Sequence, residues 1–409
     1  MSSFYYCYIF ITIYCILSVV NSDDESLQCK DESGNIVDWY VMYKIPKVSE
    51  SSDPVIRKGT KYLFITNKTV HNGWQLSNKE ISFKDSLPGK TLEALYNDDV
   101  ASKAMWIMYN DQAPKKYANS RFGHAKGIVM TDDNRGFWLV HSVPKYPPSP
   151  ISGTEKPHKE IKSSSEVDDT DEDNDEIVDS SDNKYDYPKT GMTYGQSFLC
   201  ISFDANQMNI IGLQLMYNQV IPYRYNMPKV LSRKFPSLVN ASKRAKIKRP
   251  PYNRKSELQS IGGRQFISFA KTDKWQKDLY DDFVAPKLQT DLLAETWLNG
   301  PGKLPSECTG AKVLNVQSIT LDAANVDFKS SRDHSKWAVA TSNKNNNNWV
   351  CVGDINRADT QFSRGGGTVC INLLQLWSNY RESVNEIEPC PKKSGIIQLI
   401  ANWIFSVIN

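Results

Sequence analysis

The chain has 409 residues, enough for two packed halves with cores of their own, and its 49 Lys and Arg against 46 Asp and Glu leave a net charge of only +3. Five histidines and eight cysteines, without a Cys-x-x-Cys or a histidine-rich spacing, exclude a zinc-type centre. One stretch hides the true balance: residues 166–182 hold ten Asp or Glu and no Lys or Arg, and taking those ten charges out of a net +3 leaves +13 on the rest, a charge that attracts polyanions and makes binding them salt-dependent.

Residues 3–20 are apolar and aromatic without a charge, and Asn21-Ser22-Asp23-Asp24 ends the run abruptly. This predicts a secretory signal peptide over residues 1–22 rather than a retained membrane anchor. Its removal takes Cys7 and Cys15 away and leaves Cys29, Cys200, Cys308, Cys351, Cys370 and Cys390, an even number suited to an oxidising lumen, whose pairing spacing alone does not decide. Asn67-Lys68-Thr69 and Asn240-Ala241-Ser242 are glycosylation sequons.

Residues 36–45 read as a strand stopped by Pro46, residues 90–96 as a short helix, and residues 104–109 as a strand delivering Asn110-Asp111-Gln112 to its end. Strands alternating with helical patterns predict an α/β fold. Next comes Gly123-His124-Ala125-Lys126-Gly127, which runs through Ile128-Val129-Met130 into a polar turn and a second apolar strand, Phe137-Trp138-Leu139-Val140, ending in His141-Ser142. Two hundred residues later Asp333-His334-Ser335-Lys336 leads into Trp337-Ala338-Val339-Ala340, a polar turn and Trp349-Val350-Cys351-Val352. The same hairpin is used twice. On a strand, residues i and i+2 share a face, so each unit projects an imidazole beside an ammonium, a pair fitted to handle phosphate.

Between the hairpins, residues 151–187 form an acidic insertion with too little apolar surface to fold. The strand over residues 196–203 follows it. The chain divides into a first half, 23–210, and a second, 211–409. The second half holds a basic run at Lys243-Arg244, Lys246, Lys248-Arg249 and Arg254-Lys255, read as a loop that either contacts DNA or is merely solvated. Beyond it lie a strand at 263–270, a helix at 275–283, a strand at 312–321, a tight turn at Gly365-Gly366-Gly367-Thr368 and an apolar helix at 396–408 packed on the body.

The stretches DWYVMYKIP, MYNDQ, GHAKG, GFWLVHSVPKYPP, TYGQSFLC, KDLYDDF, DHSKW, CVGDINR and RGGGTVC occur in the order found in the deoxyribonuclease II family, and the chain resembles that family over nearly its whole mature length. The family looks like a branch of the phospholipase D superfamily, whose two pseudo-repeated α/β halves, with mixed sheets, each give a His and a Lys to one shared active site. The resemblance implies disulfides Cys29–Cys200, Cys308–Cys390 and Cys351–Cys370. It implies an acid endodeoxyribonuclease, secreted or lysosomal, that needs no metal or other cofactor, has no stable membrane association after signal cleavage, and acts on DNA to leave 3′-phosphate ends. His124, Lys126, His334 and Lys336 are then catalytic, with His141 and Asn356 near the substrate. Neither hairpin keeps the superfamily's acidic residue at its usual spacing, for Asp132 lies one residue late and Thr341 occupies the second position; Asp333, next to His334, should point to the opposite face. A phospholipid hydrolase is the less economical reading, because it leaves the basic body unexplained, and a DNA-binding protein without turnover is the rival. Oligomeric state stays open, a homodimer included.

Overall fold

The computed structural model describes residues 26–114, 122–155 and 184–390. The expected signal peptide, most of the acidic insertion and the helix expected at 396–408 lie outside them.

Two large sheets carry an α/β fold. The first takes β1 (Trp39–Lys44), β2 (Tyr62–Thr66), β3 (Gln75–Leu76), β4 (Met105–Asn110), β5 (Lys126–Thr131), β6 (Arg135–His141), β7 (Thr154–Glu155), β8 (Gln196–Asp204) and β9 (Pro222–Asn226), in the order β3-β2-β1-β8-β6-β5-β4-β9-β7. The second takes β10 (Asn253–Gln259), β11 (Gln265–Lys271), β12 (Leu292–Glu295), β13 (Val313–Leu321), β14 (Val326–Lys329), β15 (Trp337–Ala340), β16 (Trp349–Gly353) and β17 (Gly366–Asn372), in the order β10-β11-β17-β16-β15-β12-β13-β14, with β18 (Val384–Ile387) also on β13. Pairing is antiparallel in the first sheet; in the second, β12 runs parallel to β13. Because β9 belongs to the first sheet, that sheet reaches beyond residue 210.

Both faces of the central strands are buried, which is why they read as unbroken apolar runs rather than alternating ones. Period two survives in which core each side chain joins. Trp138 and Val140 of β6, with Val350 and Val352 of β16, enter one core between the sheets. Phe137 and Leu139 face an outer core on the first sheet, and Cys351 and Cys370 another on the second. The helices Met208–Tyr217, Pro236–Ser242 and Leu374–Glu382 add Ile211, Leu215, Leu238, Leu376 and Tyr380 to the middle core.

All three disulfides join the cysteines the family resemblance implies: Cys29–Cys200, Cys308–Cys390 and Cys351–Cys370. The last lies across the β16–β17 ladder, where Cys351 faces Cys370. Each bridge limits the unfolded chain and contributes on the order of 2–4 kcal/mol. They are the bridges of an extracellular or lumenal protein.

Several expectations change. Residues 275–283 do not form one helix: Gln276 takes a left-handed φ of 59° after the 3₁₀ turn Asp273–Trp275. The Asp278 carboxylate then accepts the Tyr280 and Asp281 N–H groups (2.9 and 2.8 Å), starting a separate π turn, Tyr280–Val284. Gly366 and Gly367 are not a turn but the start of β17; a Cβ on Gly367 would lie 2.4 Å from the Phe269 carbonyl oxygen. Arg254 and Lys255 belong to β10, not to a loop. The edges of the acidic insertion belong to the body, since Thr154 pairs with Tyr225 and Tyr187 is buried in the outer core. Among the described residues no helix is long and apolar enough to cross a membrane.

Candidate active site

Lys126 opens β5 opposite Asn110, the last residue of β4. The next residue, Asp111, therefore stands beside Lys126, its Oδ1 2.5 Å from Nζ. Its Oδ2 takes Arg364 Nη2 at 3.0 Å and lies 3.8 Å from His124 Nε2. Lys126 is fully buried and Asp111 nearly so, so this is a desolvated carboxylate shared by two cations. The Lys126 N–H donates to Asp354 Oδ2 of the other sheet at 2.9 Å.

The second unit is built differently. Lys336 precedes β15, its N–H donating to Ser197 Oγ (3.2 Å) and its ammonium to the His334 carbonyl. His334 Nδ1 sits 3.0 Å from the Ser142 carbonyl oxygen and 3.3 Å from Gln196 Oε1. A carbonyl can only accept, so Nδ1 carries a hydrogen there and Nε2 is left for chemistry. By register, Trp297 occupies the place that Asp111 has in the first unit, and its ring meets the His334 imidazole edge-on, centroids 5.2 Å apart.

Each histidine is held by the opposite sheet. The His124 N–H donates to the Gly365 carbonyl (2.8 Å), just before β17, and the His334 N–H donates to the Gly195 carbonyl (2.9 Å), just before β8. Both acceptors must be glycine. A Cβ on Gly195 would lie 2.2 Å from Asp333 Oδ1, and one on Gly365 2.6 Å from the Asn218 carbonyl oxygen. Gly195→Ala is therefore expected to displace Asp333, break the strap to His334 and lower DNA cleavage at least about tenfold, with loss of stability of roughly 1–3 kcal/mol; a variant with wild-type turnover and melting temperature would show that the strap is dispensable.

Electrostatics joins the two units. Burial lowers the His124 pKa well below its ordinary value, and Lys126, Arg364 and Lys336 push it the same way. Burial does the same to His334, reinforced by Lys336, Lys126 and His124, while the Ser142 carbonyl partly opposes it. Burial also lowers Lys336, helped by Lys126. For Asp111 burial pulls upward, but Lys126 and Arg364 outweigh it and hold the carboxyl below the usual range. Its charge is taken up by those two cations, which is why it does not rescue His124 at 3.8 Å.

A profile of the deoxyribonuclease II family matches residues 28–390. The chain belongs to the deoxyribonuclease II family. It is 36% identical over 371 residues to rat deoxyribonuclease-2-alpha, covering 90% of this chain and 95% of that one. It is 35% identical over 386 residues to plancitoxin-1 of Acanthaster planci (93% and 97%) and 33% identical over 409 residues to cell death-related nuclease 6 of Caenorhabditis elegans (97% and 98%). By family it is a deoxyribonuclease II-type endonuclease.

Other residues of this deoxyribonuclease II chain fall into place around the two units. His141 is fully buried; its Nδ1 accepts the Val143 N–H (3.1 Å) and its ring packs on Tyr146 and Phe198, the setting of a core histidine. Asn356 Oδ1 and Asp354 Oδ1 are buried with no hydrogen-bond partner among the described residues. Burial raises Asp354 to about 7. Asp132 is spent on its own turn, accepting the Asn134 and Arg135 N–H groups. Asp333 is buried against Tyr43 and Ser335, so it does not orient His334. Beside it Glu295 is buried with neither carboxylate oxygen bonded among the described residues, and its pKa is raised well above normal by burial. Asn67 is half-buried, with Oδ1 accepting the Asp38 N–H, whereas Asn240 is exposed. No group of three or more His, Cys, Asp or Glu among the described residues is arranged to hold a metal.

Sequence reasoning missed Asp111, Arg364, Asp354, Gln196 and the two glycine straps. Asp111 left a signal, the polar triplet at the end of an apolar strand. The straps left none, because each joins residues about 140 or more positions apart through main-chain atoms.

Proposed function

We propose that the protein is a metal-independent acid endodeoxyribonuclease that cleaves DNA to 3′-phosphate ends through a phosphohistidine, with two phospholipase D-like halves, one built on each sheet, around one site. The observation that carries this reading is the reciprocal strapping of His124 and His334 by Gly365 and Gly195, which holds two His-x-Lys units in each other's field. The matching strand orders β1-β8-β6-β5-β4 and β11-β17-β16-β15-β12 support it.

Neutral His124 attacks phosphorus, forming an N–P bond as the P–O5′ bond breaks, and protonated His334 gives its Nε2 proton to the departing oxygen. His334 then takes a proton from water, whose oxygen attacks phosphorus and releases His124. Lys126 and Lys336 stabilise charge on the non-bridging oxygens. His334 takes the acid role from the superfamily pattern, and its Nδ1–H, held by the Ser142 carbonyl, leaves Nε2 to carry the transferred proton. Asn356, whose buried Oδ1 has no hydrogen-bond partner among the described residues, would contact the phosphate, while His141, buried in the core, would act on the site only through its neighbours. The disulfides fit secretion or a lysosomal destination.

The sign of the pH dependence follows. Both imidazoles have depressed pKa values, so at neutral pH both are uncharged and the general acid is missing. Cleavage should rise as pH falls below the ordinary histidine value of about 6.5 and fall again once His124 is also protonated. Plasmid nicking measured across pH in EDTA tests this. Full activity in EDTA with an acid optimum is expected; a rate that climbs toward alkaline pH, or that needs added magnesium, overturns the mechanism.

A further inference from the structure

An aromatic surface adjoins each of the two His-x-Lys units, and no step above uses either. Phe122 is two residues before His124, so it lies within about 7 Å of it along the chain. It is half-buried, and the Arg244 guanidinium sits over its ring, 5.1 Å from the centroid. Beside them is a shallow hollow, with only about 20 Å³ enclosed, lined by Met216, Val220, Ala241 and Ala245. Its wall is continuous with the catalytic strand: the Gly123 N–H donates to the Gln219 carbonyl (3.1 Å), and Arg364, which holds Asp111, donates from Nε to the Phe122 carbonyl (3.0 Å). Arg244 belongs to the basic run that sequence reading left undecided between DNA contact and simple solvation.

On the other side Trp297 packs edge-on against His334 and against Tyr194, with centroids 5.2 and 4.7 Å apart. Both rings are half-buried. Tyr194 adjoins Gly195, whose carbonyl straps His334. Here the two units differ most, since Trp297 replaces the carboxylate position of Asp111.

We infer that these are two nucleobase subsites, one for each nucleotide flanking the scissile phosphate, and that together they set the direction in which a DNA strand lies across the site. The inference rests on the nuclease reading. Every base has a face that stacks on an aromatic ring or a guanidinium, with little regard to sequence. His334 donates to the leaving O5′, so the nucleotide on the 3′ side of the break stacks on Trp297 and Tyr194. The nucleotide that keeps the phosphate stacks on Phe122 and Arg244. A charged but otherwise featureless groove would bind a strand in either direction; this arrangement binds one.

The test uses short single-stranded DNA with one abasic residue placed immediately 5′ or immediately 3′ of a single cleavable phosphodiester, with bis(4-nitrophenyl) phosphate as a diester without bases. For the wild type each abasic residue should lower kcat/KM about tenfold. Trp297→Leu should abolish the penalty on the 3′ side and keep the one on the 5′ side; Phe122→Leu should do the reverse, with Arg244→Gln as a second 5′ variant should Phe122→Leu fold poorly. Each variant should lose at least about ten times more on DNA than on the baseless diester. Penalties unaltered by the variants, or altered on the same side by all of them, overturn the inference, as does equal loss on DNA and the baseless diester. A wild type inert on both substrates would instead count against the nuclease reading; the subsites are then read from quenching of 2-aminopurine at the two positions in bound DNA, and absence of quenching overturns them.

Discussion

Replacing either His124 or His334 by alanine is expected to remove nearly all DNA nicking at acid pH, a loss on the order of 10³-fold or more, and replacing both should cost no more than replacing one. The non-additivity is the informative part. If the nucleophile and the acid serve one phosphate, removing the first leaves the second with no bond to assist. Two independent half-sites would give losses that multiply, each single variant keeping a substantial rate. Lys126 and Lys336 stand close enough to perturb both imidazoles, so a single anion between them would be held by four groups at once. Acid quenching of a slow substrate should trap a phosphohistidine, and peptide mapping should place it on His124. Strong residual cleavage by the His334→Ala protein would mean that the leaving oxygen finds its proton elsewhere, and the shared-site mechanism would fall.

Asp111→Ala is expected to destabilise the protein by about 3–5 kcal/mol, the largest stability effect of any single substitution in the site. The Lys126 side chain is fully enclosed and its ammonium is 2.5 Å from Asp111; without that carboxylate a buried cation is left uncompensated, and Arg364 loses the same partner. The folded-state pKa of Asp111 is depressed, so its contribution is fully present above the unfolded value of about 3.9 and is lost only as pH falls through the lower folded value. The carboxylate thus remains charged at the mildly acid pH of catalysis. Denaturant titrations at pH 5 and pH 7 should show the same deficit for the variant. A deficit that vanishes at pH 5 would mean that Asp111 titrates higher than its two cations allow.

The sequence made much of this visible, and the reasons for success and failure are physical. Both hairpins were legible because a strand buried on both faces needs an apolar run, and His-x-Lys at its head stands out in a chain with five histidines. The cysteine pairing came through resemblance; spacing alone could not have given it. Glu295 was invisible as a buried acid because it ends an ordinary apolar strand, Leu292–Glu295, and its burial, with Asp333 nearby, exists only in the folded chain. The glycines at 365–367 were read as a turn because glycine is frequent in turns; here it is needed for close approach to Asn218 and Phe269. Nor could spacing show Asp111 as the partner of Lys126, because it reaches Lys126 from a neighbouring strand, 15 residues before it.

The reciprocal glycine straps have a consequence for biosynthesis. A chain made from its N-terminus exposes His124 long before Gly365 leaves the ribosome, so the first histidine has no anchor until almost the last strand of the second sheet is complete. A partly translated chain entering the secretory pathway therefore carries the pieces of a nuclease without a working one. The dependence also runs the other way: a proteolytic cut that let the sheets part would release both histidines in a single event, retiring the enzyme at once rather than by halves.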